Sequence, residues 1–358
     1  MKIAITHPYA WPAVRRGAER MVVEMTRSLA ARGHSVTVFT SGRPDIPGGR
    51  VVGLRRLHRR DDVHELAFGL RVAPHLLAGR FDAVHSLMPC DAAAAVLTAR
   101  VAGHRVVYEE LGIPDPDYWR QRRDGRIRHW LVPRVDVYAC MSEYAAAELQ
   151  RVFGRPAVVV PGGVRLAEFE PARREPTPTV LFSGALSEPR KGLADLLQAV
   201  ALLLPGMPEL RLWLSGPGDV SAQLARLPGA VRAAVEVLPL GGPHEQSGRY
   251  SRAWVTALPS VRDSFGLVLI ESLAAGTPIV VSNDAAPPSL VSKGTGAIAE
   301  PGDAVSLAAA LREALELARR PETAERCRRS AAAFDWDAAI APRLEDLYSG
   351  RAPLEAAA

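Results

Sequence analysis

The apolar positions of this chain follow a repeating rhythm, in which short β-branched runs alternate with longer stretches at helical spacing. In the first half, Lys2 to Thr6, Ser35 to Thr40, Ala83 to Ser86, Arg105 to Tyr108, Val135 to Met141 and Ala157 to Val160 read as strands. Between the first two, Met21, Val22, Met25 and Leu29 recur on one face of a helix predicted over Ala18 to Ala31, which Gly33 closes. Strands and helices alternating in this way imply an α/β class with a mostly parallel sheet covered on both faces. Ligands of such sheets bind at the carboxyl ends of the strands.

The rhythm breaks once. Glu170 to Pro178 holds three prolines in nine residues, has no periodicity and reads as a linker. It then restarts, with strands predicted at Thr179 to Ser183, Arg211 to Ser215, Val235 to Leu238, Trp254 to Leu258, Pro278 to Ser282 and Gly296 to Ala299. Helices are predicted at Leu193 to Leu204, Phe265 to Ala275 and Ala304 to Ala318. Two α/β halves joined by one linker are expected to leave a cleft between their sheets.

The strongest chemical signal lies in Asp263 to Pro278, where two acids, Asp263 and Glu271, flank a Phe265-Gly266 turn that opens an apolar helix. Free backbone N–H groups at Phe265, Gly266 and Leu267, together with the positive end of the helix dipole, suit a phosphate. Counted from Phe265, Glu271 sits roughly 9 Å along the axis at 1.5 Å rise per residue. From there its carboxylate could take the hydroxyls of a ribose whose diphosphate rests on the helix start. An N-capping Asp263 and a surface Glu271 on an ordinary amphipathic helix would give the same spacing.

Composition narrows the class. A chain of 358 residues, 48% of them hydrophobic, is long enough for two domains with full cores. Lys and Arg number 44 against 39 Asp and Glu, a net charge of +5 that favours anionic substrates. No RNA-binding signature, zinc finger or basic zipper accompanies it, so no nucleic acid partner is expected. Cys90, Cys140 and Cys327 are an odd set without paired spacing, which argues against a disulfide framework. The first residues read as a strand rather than a signal peptide. The apolar stretch Leu196 to Leu204, interrupted by Gln198 and ended by Pro205, is far short of a membrane span. A cytoplasmic enzyme is expected.

The order of motifs resembles the retaining glycosyltransferases of family 4, with the GT-B fold of two facing Rossmann-like doubly wound domains. The resemblance runs from the first strand and Gly17-Ala18-Glu19 through Val160-Pro161-Gly162-Gly163-Val164, Arg190-Lys191-Gly192 and Ser215-Gly216-Pro217-Gly218. It continues through the Asp263 segment to Glu300-Pro301-Gly302-Asp303. It implies an acceptor-side domain over 1–172, a nucleotide-sugar-binding domain over 173–335, and a final helix over 336–350 that crosses back to the first domain. The implied reaction moves a sugar from a nucleotide diphosphate sugar to a small-molecule or glycan acceptor, with retention and without metal or cofactor.

By the same resemblance Glu271 binds the ribose, and Asp263, one carbon shorter than the family's glutamate, faces the reacting centre. The amides of Phe265, Gly266 and Leu267 hold sugar hydroxyls and phosphate. Lys191 matches the family's pyrophosphate lysine, as a leaving group that gains negative charge requires. The family's arginine after Gly184 is Ala185 here, so Arg190 either replaces it or is a solvated loop charge. In the Gly-rich loop before the first helix, Gly17 is kept, while Arg16 replaces the first glycine and either adds a phosphate contact or narrows the acceptor site. Glu109 stands where the family has a histidine near the donor sugar. Glu109 and Glu110 either meet that sugar or are solvated, and His7 and His85, each just past a strand, either lie near the expected cleft or are structural or solvated. Base contacts are expected from backbone near Leu240 and Gly241, which leaves UDP, GDP, ADP and dTDP donors open.

Asp115-Pro116-Asp117 and Asp335-Trp336-Asp337 read as turn and cap residues rather than metal ligands. The basic run Arg120 to Trp130, interrupted by Asp124 and Gly125, reads either as a solvated face or as a peripheral membrane contact. A dinucleotide-binding G-x-G-x-x-G turn is missing after the first strand, which excludes a nicotinamide oxidoreductase. A non-catalytic sugar-nucleotide-binding protein of the same fold is the alternative.

Overall fold

The computed structural model describes residues 1–14, 16–58, 60–114 and 123–351. Arg15, the Asp115-Pro116-Asp117 motif, the start of the basic run at 120–122 and the tail beyond Arg351 lie outside the described residues. The chain divides into two compact units, Met1–Gly163 with Trp336–Ala358, and Val164–Asp335.

The first unit holds a seven-stranded parallel sheet of order β3-β2-β1-β4-β5-β6-β7. Its strands are β1 Lys2–Thr6, β2 Ser35–Thr40, β3 Arg50–Gly53, β4 Ala83–Ser86, β5 Arg105–Glu110, β6 Val137–Cys140 and β7 Val158–Val159. The strand β3 was not expected from the sequence. It is a four-residue edge strand, half-buried beyond Arg50, so no apolar alternation marks it. One face of the sheet packs Val84, Val106 and Tyr138 against Phe68, Val72 and Leu76 of the helix Asp61–Gly79. The opposite face carries Ile5, His85 and Val107 in register.

The second unit holds a six-stranded parallel sheet of order β10-β9-β8-β11-β12-β13. These strands are β8 Thr179–Ser183, β9 Arg211–Ser215, β10 Val235–Val237, β11 Val255–Leu258, β12 Ile279–Ser282 and β13 Gly296–Ala299. The strand order reverses between β1 and β4 in the first sheet and between β8 and β11 in the second. At such switch points the connections leave to opposite faces and open a crevice beyond the carboxyl ends of the strands.

The unit boundary falls at Gly163, earlier than residue 172, and Glu170 to Pro178 is a strap rather than a free linker. Val164 bridges to Asp335, and Phe169 is buried. Arg174 donates to the carbonyls of Ala318 and Gly276, and Trp254 Nε1 donates to the Glu175 carbonyl at 2.8 Å. Proline spacing signals irregular backbone, but these anchors come from residues far along the chain.

The last segment belongs to the first unit as a π-helical turn, Trp336–Ile340, and the helix Ala341–Ser349. The Trp336 ring lies 2.6 Å from where a Cβ on Gly163 would stand, so only glycine fits there. Ser28 donates to Asp337 at 2.6 Å, and Arg32 donates to Glu345 at 2.8 Å. The Arg32 guanidinium and the His34 ring hold the Glu345 carboxyl down at about 2. The three cysteines are free and buried. Among the described residues no helix is long and apolar enough to cross a membrane.

Candidate functional site

The second sheet's switch point is where the predicted donor residues meet. Lys191 closes a short 3-10 turn, Pro189–Lys191, in the loop after β8, and Asp263 lies in the loop after β11. Lys191 Nζ donates to Asp263 Oδ2 at 2.7 Å, with side chains 17% and 10% exposed. The approach depends on Gly192, whose φ of 73° is left-handed and whose missing Cβ would stand 2.1 Å from the Pro259 carbonyl oxygen. No other residue combines that backbone angle with that clearance.

Arg190 is half-exposed, with its Nε donating to Glu188 Oε1 at 2.8 Å and Nη1 standing 3.9 Å from Asp263 Oδ1. It is therefore a braced guanidinium beside Lys191. Two glycines after β9 have close neighbours. A Cβ on Gly216 would stand 1.8 Å from the Gly184 carbonyl oxygen, and one on Gly218 2.7 Å from the Ser187 amide nitrogen.

The helix behind Asp263 begins later than its sequence suggests. It spans Leu267–Ala274, because Gly266 has a φ of 95° and cannot be helical. Counted from Leu267, Glu271 stands about 6 Å along the axis. The Leu269 amide donates to the Gly266 carbonyl at 2.9 Å, which leaves the amides of Leu267 and Val268 at the helix start without an intrahelical acceptor. Phe265 is buried, its ring 5.5 Å from that of Phe334, which fixes the turn. Glu271 is also buried, at 6% exposure. Burial and the neighbouring Glu271 charge push the Tyr250 phenol well up.

A polar network next to Glu271 was not visible in the sequence. Ser183 and Ser215 are paired in register at the ends of β8 and β9. Gln246, on the helix Pro243–Arg252, joins them, accepting from Ser215 at 2.8 Å and donating to Ser183 at 3.0 Å. The Tyr250 hydroxyl also donates to Ser183 at 3.0 Å. Arg249 donates to Ser215 at 2.9 Å and to the Pro239 carbonyl at 2.7 Å. That carbonyl and Gly241 belong to the loop expected to meet the base. A Cβ on Gly241 would stand 2.9 Å from Glu245 Oε2 and 3.1 Å from Arg249 Nη2. Two strand-end serines were the only sequence signal for this network.

In the first unit several predicted residues are occupied within the fold. Glu109 is fully buried, with Oε2 2.9 Å from His85 Nε2, while His85 Nδ1 lies 2.7 Å from the Tyr348 hydroxyl. A neutral imidazole meets both by donating to the carboxylate and accepting from the phenol. Glu109 is thus a buried, paired carboxylate rather than the open one expected. Glu110 is bound by Arg128 at 2.6 Å and by the Tyr108 hydroxyl at 2.6 Å, so Arg128 of the basic run is buried, while Arg126 and His129 are exposed.

His7 is buried with Nε2 3.2 Å from Glu19 Oε1, and Arg16 donates to the same oxygen at 2.9 Å while lying over the Tyr9 ring. Gly17 is exposed at the first position of the helix Gly17–Ala31. Asp335 accepts from the Leu166 amide at 3.1 Å and Asp337 accepts from Ser28, so the two acids serve separate structural contacts. Among the described residues, no group of three or more His, Cys, Asp or Glu side chains is placed to hold a metal ion.

Known proteins share both the sequence and the architecture. Residues 15–168 match the family Glycosyltransferase Family 4, and residues 165–334 match Glycosyl transferases group 1. The phosphatidyl-myo-inositol mannosyltransferase of Mycobacterium leprae (strain TN) is 28% identical over 337 residues, covering 87% of this chain and 86% of the relative. The GDP-mannose-dependent alpha-(1-6)-phosphatidylinositol dimannoside mannosyltransferase of Mycobacterium tuberculosis (strain ATCC 25177 / H37Ra) is 30% identical over 224 residues. That match covers 59% of this chain and 57% of the relative. The solved sucrose-phosphate synthase of Thermosynechococcus elongatus superposes with a TM-score of 0.81 at 23% identity, covering 98% of each chain. With two parallel α/β units of this topology and family matches over nearly its whole length, the chain belongs to the family 4 glycosyltransferases of the GT-B fold and is a glycosyltransferase.

Proposed function

We propose that this glycosyltransferase takes its sugar from a nucleotide diphosphate sugar held by the second unit and transfers it with retention to a hydroxyl of a glycolipid or sugar acceptor. The observation that carries this reading is the Lys191–Asp263 pair at 2.7 Å, set at the switch point beside the first turn of the Leu267–Ala274 helix. A cation paired with Asp263, shortly before a helix start whose Leu267 and Val268 amides have no intrahelical acceptor, suits a diphosphate. Glu271 is the candidate for the ribose hydroxyls. Arg190, 3.9 Å from Asp263, is the candidate replacement for the arginine absent at Ala185.

In this mechanism the bond between the sugar's anomeric carbon and the phosphate oxygen breaks. The acceptor oxygen bonds to that carbon on the same face, and its proton passes to the departing phosphate. Lys191 and the helix amides stabilise the charge that develops on the leaving diphosphate. Asp263 keeps the ammonium aimed until the donor arrives. No metal or cofactor takes part. The relatives' names make GDP-mannose the first donor to test and an inositol phospholipid the first acceptor.

The test is a thermal-shift panel of GDP-mannose and UDP-, ADP- and dTDP-sugars, since a ligand at 100 times its Kd adds about 2.7 kcal/mol. Product analysis with the best donor follows. Stabilisation by one sugar nucleotide, with release of its diphosphate and a product of unchanged anomeric configuration, is expected. An inverted product rules out retention, and no stabilisation by any donor rules out the site.

A further inference from the structure

The donor reading assigns no role to Arg249, yet this side chain joins three parts of the second unit. Its Nη1 donates to Ser215 Oγ at 2.9 Å and to Gln246 Oε1 at 3.3 Å, and its Nη2 donates to the Pro239 carbonyl at 2.7 Å. Gln246 carries the connection on to Ser183, which accepts from Tyr250, and Tyr250 stands beside Glu271. Ser183 and Ser215 are anchored by the β8–β9 ladder, and Tyr250 is fully buried, so the chain of bonds is rigid at that end.

The other end is the loop from Pro239 to Gly242, with Leu240 exposed and no regular structure. Side chains of the following helix tie it by the Arg249 bond to Pro239 and the bond from the Gly242 amide to Glu245 Oε2 at 2.6 Å, and the Gln246 amide donates to the Gly242 carbonyl at 3.0 Å. Glu245 and Arg249 are also the two side chains that a Cβ on Gly241 would meet. The loop backbone is thus braced directly from beneath by side chains of one helix.

We propose that Arg249 is a positioning residue for the nucleoside of the donor. It sets the backbone of the Pro239–Gly242 loop at the base and, through Gln246, Ser183 and Tyr250, fixes the place of Glu271 at the ribose. The inference rests on the donor reading above. A guanidinium is required because only a planar fork with several N–H groups serves two side-chain oxygens and a carbonyl together, which an ammonium on a flexible stem does not reproduce.

The experiment is calorimetric binding of the nucleoside monophosphate and diphosphate of the preferred donor to wild type, Arg249→Ala, Arg249→Lys and Lys191→Ala, with melting curves for each. Arg249→Ala is expected to weaken the monophosphate and the diphosphate by the same factor, tenfold or more. Lys191→Ala is expected to weaken the diphosphate alone. In turnover, Arg249→Ala raises the donor KM and leaves kcat within about threefold, and millimolar guanidinium restores binding where Arg249→Lys does not.

Equal monophosphate affinity in wild type and Arg249→Ala overturns the inference while the donor reading stands. Wild type that binds neither nucleotide overturns the donor reading itself. A loss confined to the diphosphate, or a KM unchanged while kcat falls, also overturns the role at the nucleoside. If Arg249→Ala melts early, Tyr250→Phe, which removes the hydroxyl that links Ser183 to Glu271, carries the same test, and unchanged monophosphate affinity in it overturns the inference.

Discussion

Removing the Lys191 ammonium perturbs two equilibria, and the structure separates them. In the unliganded protein Lys191→Ala leaves Asp263, 10% exposed, without its 2.7 Å partner. Breaking a buried pair from one side costs about 3–5 kcal/mol. Here both side chains retain some access to water, so the lower end of that range or less is expected. On the donor side the variant loses charge-assisted bonds of about 1.5–3 kcal/mol, which is about ten- to 150-fold in affinity or rate. A double-mutant cycle with Asp263→Asn resolves the two. If the pair is mutually compensating, the double variant unfolds at higher denaturant than Lys191→Ala, because no buried charge is left alone. Its diphosphate affinity nevertheless stays as low as that of Lys191→Ala, because the cation is still missing. Chemical denaturation and calorimetric titration of the diphosphate read the two effects independently. Recovery of diphosphate affinity in the double variant would refute the assignment of Lys191 to the leaving group. Additive stabilities would refute the coupling.

Three further outcomes are expected. Glu271→Ala should weaken nucleoside monophosphate binding at least tenfold, about 1.4 kcal/mol, without unfolding the chain, and wild-type affinity by calorimetry would remove Glu271 from the ribose. Burial pushes the Asp91 carboxyl up to about 8, against the Thr6 hydroxyl that bonds to it, from an ordinary 3.8. The native state therefore holds a proton that the unfolded chain releases between those values, and stability falls as pH rises through that window by at most about 1.4 kcal/mol per unit. Asp91→Asn should flatten this slope in urea unfolding between about pH 5 and 8, and an unchanged slope would contradict the buried, protonated acid. Tyr348→Phe leaves His85 Nδ1 without its phenol in a fully buried place, at a cost of about 1–3 kcal/mol. Equal unfolding midpoints for the variant and wild type would show that the bond contributes nothing.

Much of the architecture was legible in the sequence because parallel sheets built from short apolar runs and covering helices impose local periodicities. Every predicted strand appears within a residue or two of its expected place. The edge strand β3 was missed because a half-buried edge has no alternation to betray it. The helix at Glu271 was placed two residues early because the left-handed φ of Gly266 is a property of the folded turn, and neighbouring residue types left it open.

The sequence alone determined the residue types of the proposed donor site, Lys191, Asp263 and Glu271, and the two-unit rhythm that carries them. Tertiary structure decided which of them meet. Lys191 and Asp263 are 72 positions apart and touch because β8 and β11 are neighbours across the switch point. Glu109 and His7 had the right chemistry at the right strand ends, but burial against His85 and Glu19 engaged them inside the fold. The physical reason is common to both cases. Periodicity is set by adjacent residues, whereas a carboxylate's partner is set by which strands and helices bring distant donors within hydrogen-bond reach, and a buried charge takes whichever partner that packing supplies.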